Sequence, residues 1–155
     1  MSSPVNRSFE KLEIGLAIKG QPFTPTRETI REFCEASLDH NPLHLDDQYM
    51  EGSFGKTRFG GIIMHGMTHF GLMTKMLTDW LYPLGGIHRR LETRWLIPVK
   101  PGDTIRPSAR LKEKKTTKNG HFIVMEIVMK NQRDEIVARG ESMAEFPPEG
   151  EFAPP

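Results

Sequence analysis

The sequence predicts an α+β domain in which one long buried helix lies against an antiparallel sheet. Three observations carry this. Residues before about 85 read as helix and loop, and those after it read as strands. The segment MHGMTHFGLMTKMLTDWLY (64–82) is apolar on most sides, the pattern of a helix covered by protein around most of its girth. Four later runs alternate apolar and polar residues with period two, as half-buried strands do.

Taken in order, residues 1–10 are polar and read as loosely held, which places the core of a single domain (1–155) at about 15–146. Thr26 precedes RETIREFCEASL (27–38) and can cap it, because a threonine hydroxyl accepts from a free N–H of the first turn. Ile30, Phe33, Cys34 and Leu38 then share one stripe of an amphipathic helix. Asn41-Pro42 disfavours its continuation, since a residue before proline is pushed out of the helical region. A short helix with an acidic cap follows, from Asp46 or Asp47 to Met50. In the long helix Lys75 and Asp79 mark a wetter edge.

The strand half begins with Leu91, Thr93, Trp95 and Ile97, and Pro98–Asp103 (PVKPGD) supplies a turn. Ile105, Ala109 and Leu111 mark a second strand, and Ile123, Met125, Ile127 and Met129 a third. EIVARGESMAEF (135–146) makes the fourth, with Asn119-Gly120 and Arg133-Asp134 where hairpin turns are needed. The expected order is a meander. The tail FPPEGEFAPP (146–155) is too rich in proline to join it.

The composition removes several function classes. A net charge of +1 leaves no electrostatic case for sequence-wide binding to nucleic acid or membrane. The single cysteine, Cys34, excludes an internal disulfide and suits a reducing compartment. The N-terminal MSSPVNRSFEKLEIG has no apolar stretch of signal-peptide length, and no run approaches about 20 apolar residues. A cytoplasmic protein is expected.

Chemistry concentrates in Asp39-His40-Asn41-Pro42-Leu43-His44-Leu45-Asp46. Asp39 falls near the end of a predicted helix, where the macrodipole disfavours negative charge. Pro42 is expected to force an open loop that lets Asp39 and His44 fold towards one another. A carboxylate beside an imidazole can hold a water, one group taking its proton while the other donates elsewhere. The same residues also suit an ordinary turn, with Asp39 bonding an amide two residues on. In the second stretch, FGGIIMHGM (59–67), glycines lead into the long helix, whose free N–H groups form a ready site for an anion. Gly66 would let a carbonyl oxygen approach the backbone; equally, Gly60, Gly61 and Gly66 would permit tight helix–sheet packing.

Together the two stretches resemble the MaoC-like (R)-specific enoyl-CoA hydratase family, also called hydratase 2. The family's aspartate, four residues, then histidine falls on Asp39 and His44, within DxNPLHxD (39–46). Its histidine-glycine-methionine helix start falls on His65, Gly66 and Met67. A serine nine residues after that histidine is replaced by Thr74, which keeps the hydroxyl and adds a methyl. The resemblance spans about residues 15–146 and includes PVKPGD. It implies a hotdog fold, a long helix wrapped by an antiparallel sheet, in a homodimer or a dimer of dimers. It implies syn addition of water to a trans-2-enoyl thioester of CoA or acyl-carrier protein, or the reverse dehydration, with no cofactor. Asp39 and His44 would be the acid–base pair, the Gly66 amide the oxyanion donor, and Asn41, His65, Met67 and Thr74 substrate contacts. A hotdog thioesterase and a non-catalytic acyl-binding module are the alternatives, and the full aspartate–histidine signature argues against the first.

Other signals carry less. His40-x3-His44 and His65-x3-His69 have metal-like spacing, but Pro42 spoils the first and no further ligand joins the second, so no metal is expected. Cys34 reads as core. Met64, Met67 and Met73 could line an acyl pocket. Arg89, Arg90, Arg94 and the run Arg110–Lys118 read first as solvated charge and second as contacts for an acidic carrier or CoA phosphates.

Overall fold

A computed structural model describes residues 7–52 and 59–148. Five helices run α1 (Arg7–Lys11), α2 (Arg27–Ser37), α3 (Pro42–Leu45), α4 (Asp47–Glu51) and α5 (Gly66–Leu81), the last followed by a single 3-10 turn, Tyr82–Leu84. The strands are β1 (Ala17–Lys19), β2 (Ile87–Trp95), β3 (Arg106–Thr117), β4 (Gly120–Lys130) and β5 (Ile136–Phe146). They form one antiparallel sheet in the order β1-β3-β4-β5-β2, with α5 packed across it.

The period-two set on β4 does what its pattern dictates. Ile123, Met125, Ile127 and Met129 are all fully buried at the middle of the sheet. From β5 the facing residues are small, Ala138, Gly140 and Ala144, which leaves room for Met73 and Leu77 of α5. The core cluster runs on to Ile105, Leu111 and Phe146.

Several expectations need correction. Residues 7–11 are a helix, and Phe9 and Leu12 belong to the core, so the packed region starts before residue 15. Phe9 packs at a tilt against the Phe146 and His121 rings, with the Lys114 ammonium over its face. Strand β1 was not anticipated, because three residues are too few to show alternation. The four long strands are not a simple meander. Only β3-β4-β5 is; β2 crosses to the far edge and pairs with β5, from Ile87↔Glu145 to Trp95↔Ala138. Residues 96–105 are therefore a crossover that closes no hairpin. Within it Asp103 caps Lys100 N at 2.9 Å, and Val99 is buried with its carbonyl on Met64 N at 2.8 Å. The first hairpin turn is also one residue early, at Lys118-Asn119.

In α2 the Thr26 cap holds as expected, completed by Thr29, whose hydroxyl accepts from Thr26 N at 2.9 Å. Leu38 is not on the buried stripe. It sits in the left-handed conformation that ends the helix (φ 60°) and is 78% exposed. Pro42 opens no loop: its missing N–H and fixed φ suit the first position of α3, with Asn41 as cap.

Candidate active site

The pair expected from the sequence does converge, by a route other than an open loop. Asn41 Oδ1 accepts from Leu43 N at 3.1 Å and starts α3. That single helical turn carries His44 back towards Asp39. His44 Nδ1 meets the Ile63 carbonyl at 2.7 Å, so it carries the proton, and Nε2 is left with its lone pair. Nε2 lies 3.9 Å from Asp39 Oδ2. This is too long for a direct hydrogen bond and close enough for one water to contact both groups. The His44 side chain is 9% exposed and that of Asp39 53%, so the imidazole is fixed while the carboxylate faces solvent. The turn reading of Asp39 also holds: Oδ1 takes Asn41 N at 3.3 Å, which orients Oδ2 towards His44.

The approach to α5 is pinned on both sides. Ile63 N donates to Leu43 O at 3.0 Å on one side, and Met64 N to Val99 O at 2.8 Å on the other. Asp47 holds the preceding residue, taking Ile62 N at 3.3 Å while paired with Arg27 at 2.7 Å. The hydrogen bond from Arg27 and that from Ile62 N keep the Asp47 carboxyl below its usual range. Gly61 adopts φ +130°, open in practice only to glycine.

Gly66 is the first residue of α5, so its N–H has no acceptor within the helix. A Cβ there would lie 2.7 Å from Trp95 Cε2, and Trp95 Nε1 donates to Gly66 O at 2.9 Å. The packing reading of this glycine therefore holds, since it admits a close ring, and its N–H has no backbone acceptor among the described residues.

A cavity of about 470 Å³ brings these groups together. Asp39, His44, Gly66 and Met67 line it, along with residues to which the sequence assigns no place in such a site, including Leu43, His69, Trp95 and Leu96. A larger cleft of about 620 Å³ between β1 and α5 contains neither member of the pair. The period-two pattern puts Trp95 with Leu91 and Thr93 on a buried strand face. It is 52% exposed, because the β2 alternation breaks as the chain leaves the sheet edge.

Three expected substrate contacts lie outside the cavity lining. Asn41 is spent on capping α3. Thr74 has a buried hydroxyl with no partner among the described residues. His65 is 1% exposed and stacks against His44, ring centroids 3.7 Å apart, with the Phe33 ring tilted against it at 4.7 Å. Its Nε2 donates to Asp39 O at 3.1 Å and touches Cys34 Sγ at 3.4 Å. Burial lowers the His65 pKa and raises that of the Cys34 thiol. Asp39, His44 and His65 each bring one potential ligand atom within 4.8 Å of the others.

A family model described as the MaoC-like domain matches residues 10–132. The chain belongs to the MaoC-like family. This MaoC-like chain is 25% identical over 156 residues to a 3-hydroxybutyryl-CoA dehydratase of Methylorubrum extorquens, covering 94% of this chain and 88% of that one. It is 32% identical over 82 residues to an (R)-specific enoyl-CoA hydratase of Rhodospirillum rubrum, covering 53% and 54%. Among solved structures it resembles an unliganded (R)-hydratase of Pseudomonas aeruginosa, with a TM-score of 0.76, 28% identity, and coverage of 96% and 90%. The fold is the hotdog, and the chain is an enzyme of the hydro-lyase type.

Proposed function

We propose that this MaoC-like enzyme adds water to a trans-2-enoyl thioester with (R) stereochemistry, or removes it from the corresponding 3-hydroxyacyl thioester. The observation that carries this reading is the 3.9 Å gap between His44 Nε2 and Asp39 Oδ2, in the same cavity as the free Gly66 amide. A water in the gap bonds to both groups. As its oxygen attacks C3, one of them takes its proton, and the C2=C3 electrons move to the thioester oxygen. The Gly66 N–H stabilises that oxyanion. The pair then returns the proton to C2, so that one OH and one H have been added.

His65 acts through His44 as a positioning residue, its ring holding the imidazole plane. Met67, in the cavity wall, contacts the acyl chain. The enzyme works as a homodimer, because the outer edge of β2 is unpaired among the described residues and ends in exposed Trp95 and Leu96. The test is a set of enoyl-CoA substrates, followed by loss of enoyl absorbance and chiral analysis of the product. An (R)-3-hydroxyacyl product is expected. An (S) product, or thiol release without hydration, overturns the reading.

A further inference from the structure

His69 lies one turn into α5 from Gly66, is 3% exposed, and lines the same cavity as Asp39 and His44. Neither of its ring nitrogens has a hydrogen-bond partner among the described residues. The carbonyls of His65 and Gly66 lie close enough to favour its charged form slightly, yet neither completes a bond to it. Burial outweighs them and lowers its pKa to about 4. At neutral pH the ring therefore offers one N–H and one lone pair.

Leaving two buried polar atoms unpaired costs free energy that leucine or methionine would avoid. Packing gives no reason for the histidine, since its neighbours in the wall include Met64, Ile97 and Val99. The two nearby histidines each have one ring nitrogen held by a carbonyl, though His65 Nδ1 is also without a partner among the described residues. His44 is held by Ile63 O and His65 by Asp39 O. A helix rises about 1.5 Å per residue, which puts residue 69 about 4.5 Å along the axis from Gly66. That is roughly the reach of C4 or C5 of an acyl chain whose thioester oxygen sits at Gly66 N. Among the described residues no lysine or arginine lines the cavity, and Asp39 is the one acidic residue there, which disfavours an anionic chain.

We infer that the substrate's acyl chain carries an uncharged oxygen function, a hydroxyl or a ketone, near C4 or C5, and that His69 is the residue that hydrogen-bonds it. This rests on the hydratase reading above.

The test compares pent-2-enoyl-CoA, 5-hydroxypent-2-enoyl-CoA and 4-carboxybut-2-enoyl-CoA in the wild type and in His69→Leu. In the wild type, kcat/KM is expected to favour the hydroxylated chain by about tenfold or more, and this ratio collapses in His69→Leu. Without ligand, His69→Leu is expected to melt at a higher temperature, whereas a histidine with a purely structural role would lose stability on replacement. Equal rates on the plain and hydroxylated chains, a ratio unchanged by His69→Leu, or preference for the carboxylate overturns the inference. If no enoyl thioester turns over, the hydratase reading falls. The inference is then decided separately by calorimetric binding of 5-hydroxypentanoyl-CoA against pentanoyl-CoA, where the same ratio supports it and equal affinities overturn it.

Discussion

At the scale of single residues, His69 and Gly66 respond to change in ways that separate packing from chemistry. His69 holds a pKa of about 4 in the fold, against about 6.5 in an unfolded chain. Between those values the unfolded chain binds more protons, so stability is complete above about pH 6.5 and falls as pH drops towards 4. The loss is at most about 3 kcal/mol. His65 pulls the same way, and its share persists when His69 is removed. Urea unfolding near pH 7.5 and near pH 5 is expected to show a smaller drop for His69→Leu than for the wild type. Gly66→Ala pushes a methyl into the Trp95 ring and shifts the free amide. Steady-state kinetics are expected to show kcat lower by about tenfold or more, with a smaller change in KM. The approach of Asp39 to His44 and the close packing at Gly66 were legible only from the two stretches taken together, since each alone also fits an ordinary turn or simple packing. The place of His69 and Trp95 in the cavity was not legible, since His69 shows only a metal-like spacing to His65 that no further ligand joins, and a tryptophan at a strand end looks like core.

At the scale of elements, local signals read well and long-range pairing did not. The α2 cap, the acidic cap of α4 and the β4 alternation each depend on neighbours a few residues away, and each appears as expected. Proline was read as a breaker where it starts a helix. Both roles follow from the same fixed φ, and only the partners of the flanking groups decide between them. The partner of β2 depends on a crossover that no periodicity reports. Its pairing with β5 makes a sharp prediction at Gly140, where a Cβ would sit 2.7 Å from Glu92 O of β2. Gly140→Ala is expected to cost about 1–3 kcal/mol in urea unfolding. A neutral result would mean that the two backbones are not in close register.

Across the whole molecule, the sheet and α5 form the frame, and the pinned segment before Gly66 ties His44 to it through Ile63. The short α1 closes the frame at one end through Phe9. Phe9→Ala is expected to cost about 3 kcal/mol or more, since truncating a buried phenylalanine leaves a cavity that the sheet closes poorly. Sedimentation is expected to give twice the monomer mass if the β2 edge pairs copies. The central claim is that Asp39 and His44 jointly activate water, and their variants test it most directly. Hydration of a short trans-2-enoyl thioester, followed by loss of its ultraviolet band, should fall at least about a hundredfold in both Asp39→Asn and His44→Gln. Circular dichroism should show both variants folded. Near-wild-type rates in either folded variant would contradict the claim.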